Sequence, residues 1–150
     1  LEIAERYRRD DRQRATQREG TELLAFVSFS IPVSSLERLA AEASRAGATL
    51  VFRGLKDDSL QKTIAAFEPL AKLGASAILH PEAFRAHGVQ SVPVYVLAHA
   101  GEGCAEGACR EHLRLSGDVS LEYALDRMAR QPGRLGAEAE ARLKAMRGGL

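Results

Sequence analysis

Two cysteines, four histidines and a serine-bearing turn are the residues of this 150-residue chain with the most chemical potential. Cys104 and Cys109 lie in the stretch GEGCAEGAC, with His99 before them and His112 after. Gly101, Gly103 and Gly107 allow the tight backbone turns needed to bring the two sulfurs together. A disulfide there would clip a hairpin tip and, closing so short a loop, would contribute roughly 2 kcal/mol in the chain-entropy model. The rival reading is metal, because two thiolates and two imidazoles make a tetrahedral zinc set, although their spacing follows no strong zinc signature. A redox pair is a third reading. Glu102 and Glu106 oppose it, since adjacent carboxylates raise a thiol pKa and suppress the reactive thiolate. His80 and His87 fall in turn-rich sequence, where solvated surface is the default.

Three further places border strands. The turn Phe29-Ser30-Ile31-Pro32-Val33 follows the apolar run Leu23–Phe29 and precedes a helical pattern. Ser30 has no base in the adjacent sequence to activate it, so turn and cap chemistry is its default role. Arg53-Gly54 ends a second apolar run, at the edge where α/β sheets take ligands, and a guanidinium there can grip a carboxylate bidentately. Against that stands the plainer reading of a surface arginine snorkelling over the sheet end. Ser91-Val92-Pro93 enters a third apolar run, and such a loop either presents backbone to an extended peptide or merely shapes the strand entry.

The elements that must hold these residues are legible from periodicity. Leu23–Phe29, Thr49–Phe52 and Pro93–Leu97 read as buried strands. Ser34 with Glu37 has the spacing of a capping box, and Leu36, Leu39, Ala40, Ala43 and Ala46 share one helical face that stops at Gly47. Asp58 or Ser59 is expected to cap a second helix with Leu60, Ile64, Phe67 and Ala71 inward and a kink or restart at Pro69. Residues 75–79 form a possible short strand and Pro81–Arg85 a helical turn. Glu111–Leu115 returns antiparallel, and Asp118 or Ser120 opens a helix with Leu121, Ala124, Leu125 and Met128 inward. The order β-α-β-α-β-β-α is that of the thioredoxin fold, an α/β architecture with a right-handed parallel crossover. Boundaries follow composition: a charged helical arm over residues 1–22, the domain over 23–131, and a marginal helical tail over 132–150.

Composition removes several function classes. Twenty-one basic residues against 20 acidic leave a net charge of +1, which gives no electrostatic case for a nucleic acid backbone. No apolar run approaches the roughly 18–20 residues of a membrane span. The opening LEIAERYRRDD lacks the apolar core of a signal peptide. No cofactor or small-molecule substrate is implied.

Three separated blocks, FVSFSIPVSSLERLAAEASRAGATLVFRGL, HPEAFRAHGVQSVPVYVL and LSGDVSLEYALDRMA, together resemble TrbC, the pilus-assembly family of F-type conjugative transfer systems. The likeness spans about residues 23–130. It implies a periplasmic, non-catalytic thioredoxin-like domain of a type IV secretion machinery that associates with the assembly protein TraW. In thioredoxin-like oxidoreductases the first strand runs into Cys-x-x-Cys; the matching residues here carry hydroxyls and no thiol, so disulfide exchange is not expected at that place. The expected partner surface is Phe29, Ser30, Ile31, Pro32, Val33, Arg53, Val92 and Pro93. A periplasmic address favours the Cys104–Cys109 disulfide over zinc, and makes the charged arm a mature or trimmed region. A thiol-disulfide enzyme and a peptide-binding chaperone are the alternatives.

Overall fold

The computed structural model of the chain describes residues 20–99 and 111–148. Three apolar strands alternate their side chains between two cores. In β1 (Thr21–Val27), Leu23, Ala25 and Val27 face one core while Phe26 faces the other; β2 (Ala48–Phe52) splits Leu50 and Phe52 from Val51 in the same way. Burial on both faces explains why these strands read as continuous apolar runs rather than as alternating ones. β1 pairs parallel with β2 and antiparallel with β4 (Val94–His99), and β5 (His112–Ser116) pairs antiparallel with β4. These four strands have the thioredoxin connectivity.

The possible strand over residues 75–79 is real: β3 (Ser76–Leu79) pairs parallel with β2 and completes a five-stranded sheet ordered β3-β2-β1-β4-β5. The sheet therefore carries one strand, and one short helix, more than the expected β-α-β-α-β-β-α. That helix, α3 (Pro81–Ala86), places Ala83 and Phe84 against the face formed by Phe26, Val51, Val94 and Val96. The other helices cover the opposite face: α1 (Val33–Ala46), α2 (Leu60–Lys72), α4 (Leu121–Met128) and α5 (Gly133–Arg147). None of the described helices is long and apolar enough to cross a membrane.

Several helical expectations change in detail. The capping box at Ser34 does not form; α1 starts at Val33, and the Pro32 carbonyl accepts both Ser35 N–H and Leu36 N–H at 3.0 Å, so Ser34 is already inside the helix. α2 is capped by Ser59, whose hydroxyl accepts Lys62 N–H. Its inward face is Thr63, Leu70 and half-buried Phe67, whereas Leu60 and Ile64 are 60% and 61% exposed and Ala71 is exposed too. Pro69 does not restart it: the helix runs unbroken to Lys72, and Pro69 and Ala65 both sit on the solvent side, where the carbonyl freed by proline can meet water. The C-terminal tail is α5, with Leu135, Ala139, Leu143 and Met146 in the same core as α1 and α4. Its Arg142 donates to the Ala46, Gly47 and Thr21 carbonyls, tying the end of α1 to the start of β1.

Candidate functional site

β1 and β2 end side by side, and the antiparallel β4 begins next to them. Whatever follows Val27 and Phe52, and whatever precedes Val94, must therefore share one edge of the sheet. This is how the fold gathers Ser28–Pro32, Arg53 and Val92-Pro93, residues more than 60 positions apart at the extremes, and it is the edge where open α/β sheets take ligands. The Val92–Pro93 peptide is cis.

The turn after β1 is held by its own polar atoms. Ile31 N–H donates to the Ser28 carbonyl, Ser30 N–H donates to Ser28 Oγ at 3.0 Å, and the two serine hydroxyls hydrogen-bond each other. No imidazole or carboxylate bonds either hydroxyl among the described residues, so nothing there withdraws a proton from Ser30. Phe29 turns inward and stacks on Phe52 at 4.4 Å and Phe67 at 5.8 Å between ring centres, anchoring the turn to β2 and α2.

Two cavities flank the turn, and Ser30 lines both. The first, about 780 Å³, lies between Ser28–Ser30, the segment Arg53–Asp57, and Arg85 of α3. Its far wall ends at Asp57, which with Asp58 just beyond the cavity holds positive φ of 49° and 54°, a region non-glycine residues seldom occupy. Thr63 fixes this segment, accepting Lys56 N–H at 2.8 Å and donating to the Ser59 carbonyl at 2.7 Å, and Lys62 lies 3.7 Å from Asp57.

The second cavity, about 620 Å³, runs from Ser30–Pro32 along Arg38 and Glu42 to the Val92-Pro93 loop and Val119. Glu42 is buried, and its carboxylate accepts the backbone N–H of Leu121 at 3.4 Å and Glu122 at 3.1 Å, so a side chain of α1 satisfies the free donors at the start of α4. Tyr95 donates its hydroxyl to the Val119 carbonyl at 2.6 Å. Burial, with the Glu42 and Asp118 charges behind it, pushes the phenol well above its ordinary range, so Tyr95 stays a neutral donor at any physiological pH.

Seven of the eight expected partner residues thus border this pair of cavities: Arg53 and Phe29 the first, Ile31, Pro32, Val92 and Pro93 the second, Ser30 both. Val33 lines neither and is 63% exposed on the first turn of α1. Sequence reasoning missed Lys56, Arg85, Glu42 and Tyr95. Arg85 and Glu42 reach the site through long-range packing, whereas Lys56 and Tyr95 lie three residues past Arg53 and two past Pro93, the strand ends that signalled the site.

Cys104 and Cys109 lie outside the described residues. His99 ends β4 with Nε2 3.4 Å from Glu111, and His112 begins β5 with its ring 5.8 Å from that of His87. No group of three or more histidine, cysteine or acidic side chains is placed to hold a metal among the described residues. His80 and His87 are not solvated surface. His80 caps α3, its Nδ1 accepting Ala83 N–H at 3.1 Å, and His87 is buried against Phe26 because α3 packs its C-terminal end onto the sheet.

Comparison with known proteins identifies a family, a curated relative and a solved structure that this chain resembles. The family described as "Type-F conjugative transfer system pilin assembly protein" matches residues 25–128. The periplasmic protein TrbC of Escherichia coli K12 is 31% identical over 108 residues, 71% of this chain and 47% of that protein, so the chain spans about half the length of its curated relative. Among solved structures, a secreted disulfide oxidoreductase of Mycobacterium tuberculosis aligns over 81% of each chain with 14% identity and a TM-score of 0.46.

Proposed function

Because the chain belongs to the type-F conjugative transfer system pilin assembly family, we propose that it serves conjugative pilus assembly in the periplasm, and that it does so by holding a polypeptide rather than transforming one. The observation that carries the reading is Ser30, a hydroxyl on the wall common to two cavities, standing at the sheet edge where thiol chemistry would need cysteine. What remains there is a docking cleft. Its floor is aromatic and aliphatic, the polar atoms of its Ser28–Ile31 turn are bonded to one another, and its walls are fixed by Thr63, Glu42 and Tyr95. A preformed cleft suits a partner segment bound in extended form, since little ordering entropy is lost on the receptor side.

The partner we assign is a TraW-like assembly protein, the association that the family resemblance implies. A TraW-like protein of the same transfer system, titrated calorimetrically into the full chain, should bind at micromolar affinity or tighter, about −8 kcal/mol. Ser30→Trp, a large ring on the shared wall at an exposed position, should weaken that binding at least about tenfold while circular dichroism stays unchanged. Binding indifferent to this substitution would refute the cleft as the docking site. Disulfide reductase turnover by the purified chain would refute the non-catalytic reading.

A further inference from the structure

We infer that the first cavity selects for acidity: it receives a carboxylate side chain of the docked segment, next to an apolar residue that packs on Phe29 and Leu55. This rests on the cleft being the docking site. Three cationic side chains border the cavity, Arg53, Lys56 and Arg85, against one anion, Asp57. Two of the four charges are already engaged: Arg85 with Glu82 at 2.7 Å and Asp57 with Lys62 at 3.7 Å. The side chains of Arg53 and Lys56 form no hydrogen bond or ion pair among the described residues, and both belong to the segment that Thr63 fastens and that carries the two left-handed aspartates.

Two unpaired cations line this cleft on a braced segment, while the carboxylate of that segment without a partner among the described residues, Asp58, lies outside the cavity lining, so the wall itself favours an anion. The fork of Arg53 suits a carboxylate bidentately, and Lys56 adds a point charge beside it. Leu55, 40% exposed between them, and Phe29, propped from behind by Phe52 and Phe67, offer the apolar contact. An acidic residue adjacent to an apolar one, in an extended peptide, satisfies both halves of the wall.

The probe is a displayed library of random peptides selected on the full wild-type chain, with each binder then measured on Arg53→Glu, Lys56→Glu and Ser30→Trp. The expected result is enrichment of Asp and Glu next to apolar residues among binders that Ser30→Trp abolishes. Their affinity should fall about tenfold or more on Arg53→Glu, and also with added salt, because these exposed charges are screened within about 10 Å at 0.1 M. Binders that require an open Ser30 wall but show no acidic enrichment, and that bind Arg53→Glu as well as wild type, would overturn the acidic specificity and leave the docking cleft intact. Binders indifferent to Ser30→Trp, or no binders at all, would overturn both.

Discussion

Arg142 offers a perturbation whose size can be worked out from its contacts. It is 7% exposed on α5 and donates through Nη1 to the Ala46 and Gly47 carbonyls at 2.9 and 3.1 Å, and through Nη2 to Thr21 O and Oγ1, both at 3.1 Å. The Ala46 carbonyl ends α1, where no further turn supplies a donor, and a cation at a helix C-terminus also meets the negative end of its dipole. Arg142→Met keeps most of the volume and removes every donor. Carbonyls are then left buried without partners at about 1–3 kcal/mol each, partly relieved by relaxation, so a total loss of about 3–5 kcal/mol is expected. At about 2–4 °C per kcal/mol for a domain of this size, the midpoint should drop by roughly 6–20 °C. Urea denaturation followed by circular dichroism reads the loss directly, with exposed Lys144→Met on the same helix as the control, expected within about 0.5 kcal/mol of wild type. A loss under about 1 kcal/mol for Arg142→Met, with an unchanged denaturant slope, would refute the staple.

Three other substitutions test separate parts of the fold. Gly136→Ala would ordinarily gain about 1 kcal/mol in a helix; here the new Cβ would stand 1.8 Å from the Gln131 carbonyl oxygen, so the variant should be destabilised, and a raised thermal midpoint would contradict this packing. Glu22 has its carboxyl held above its ordinary value of 4.5 by burial, against the pull of the Arg142 charge. Its protonated form therefore favours the fold below the unfolded pKa, and that contribution is lost as pH rises through the folded one. Glu22→Gln should remove this slope and be the more stable form above the window, as pH-dependent urea titrations will show; a slope identical to wild type would contradict it. Thr63→Val leaves Lys56 N–H without its acceptor and should cost about 1–3 kcal/mol while speeding hydrogen exchange at Lys56; unchanged protection there would show that the loop is braced by something else.

How far the sequence reveals the molecule depends on whether a signal is local. β1, β2 and β4 are readable because burial on both faces makes unbroken apolar runs, and α1 because Leu36, Leu39, Ala40 and Ala43 repeat at helical spacing into Gly47, whose φ of 71° suits glycine. α2 misleads for the same local reason. Leu60, Ile64, Phe67 and Ala71 form a good stripe, but the tertiary packing turns the helix so that Thr63, Phe67 and Leu70 face in, and a threonine serving a loop hydrogen bond gives no apolar signature. α5 looks marginal because its buried face includes Gly136 and Arg142, residues whose roles exist only in the assembled fold. The site divides likewise. Ser30, Arg53 and Pro93 are visible as strand-end residues, whereas Arg85 arrives on a helix packed against the opposite sheet face, and Glu42 matters because α4 begins beside it.

The most direct test of the docking cleft is a photo-reactive phenylalanine derivative placed at position 30 of the protein and activated in cells assembling conjugative pili. The same probe at Ala141, on the solvent side of α5, serves as the reference. The account predicts a covalent adduct with a transfer-system polypeptide at position 30 and none at 141. No adduct at position 30, or equal adducts at both, would contradict it.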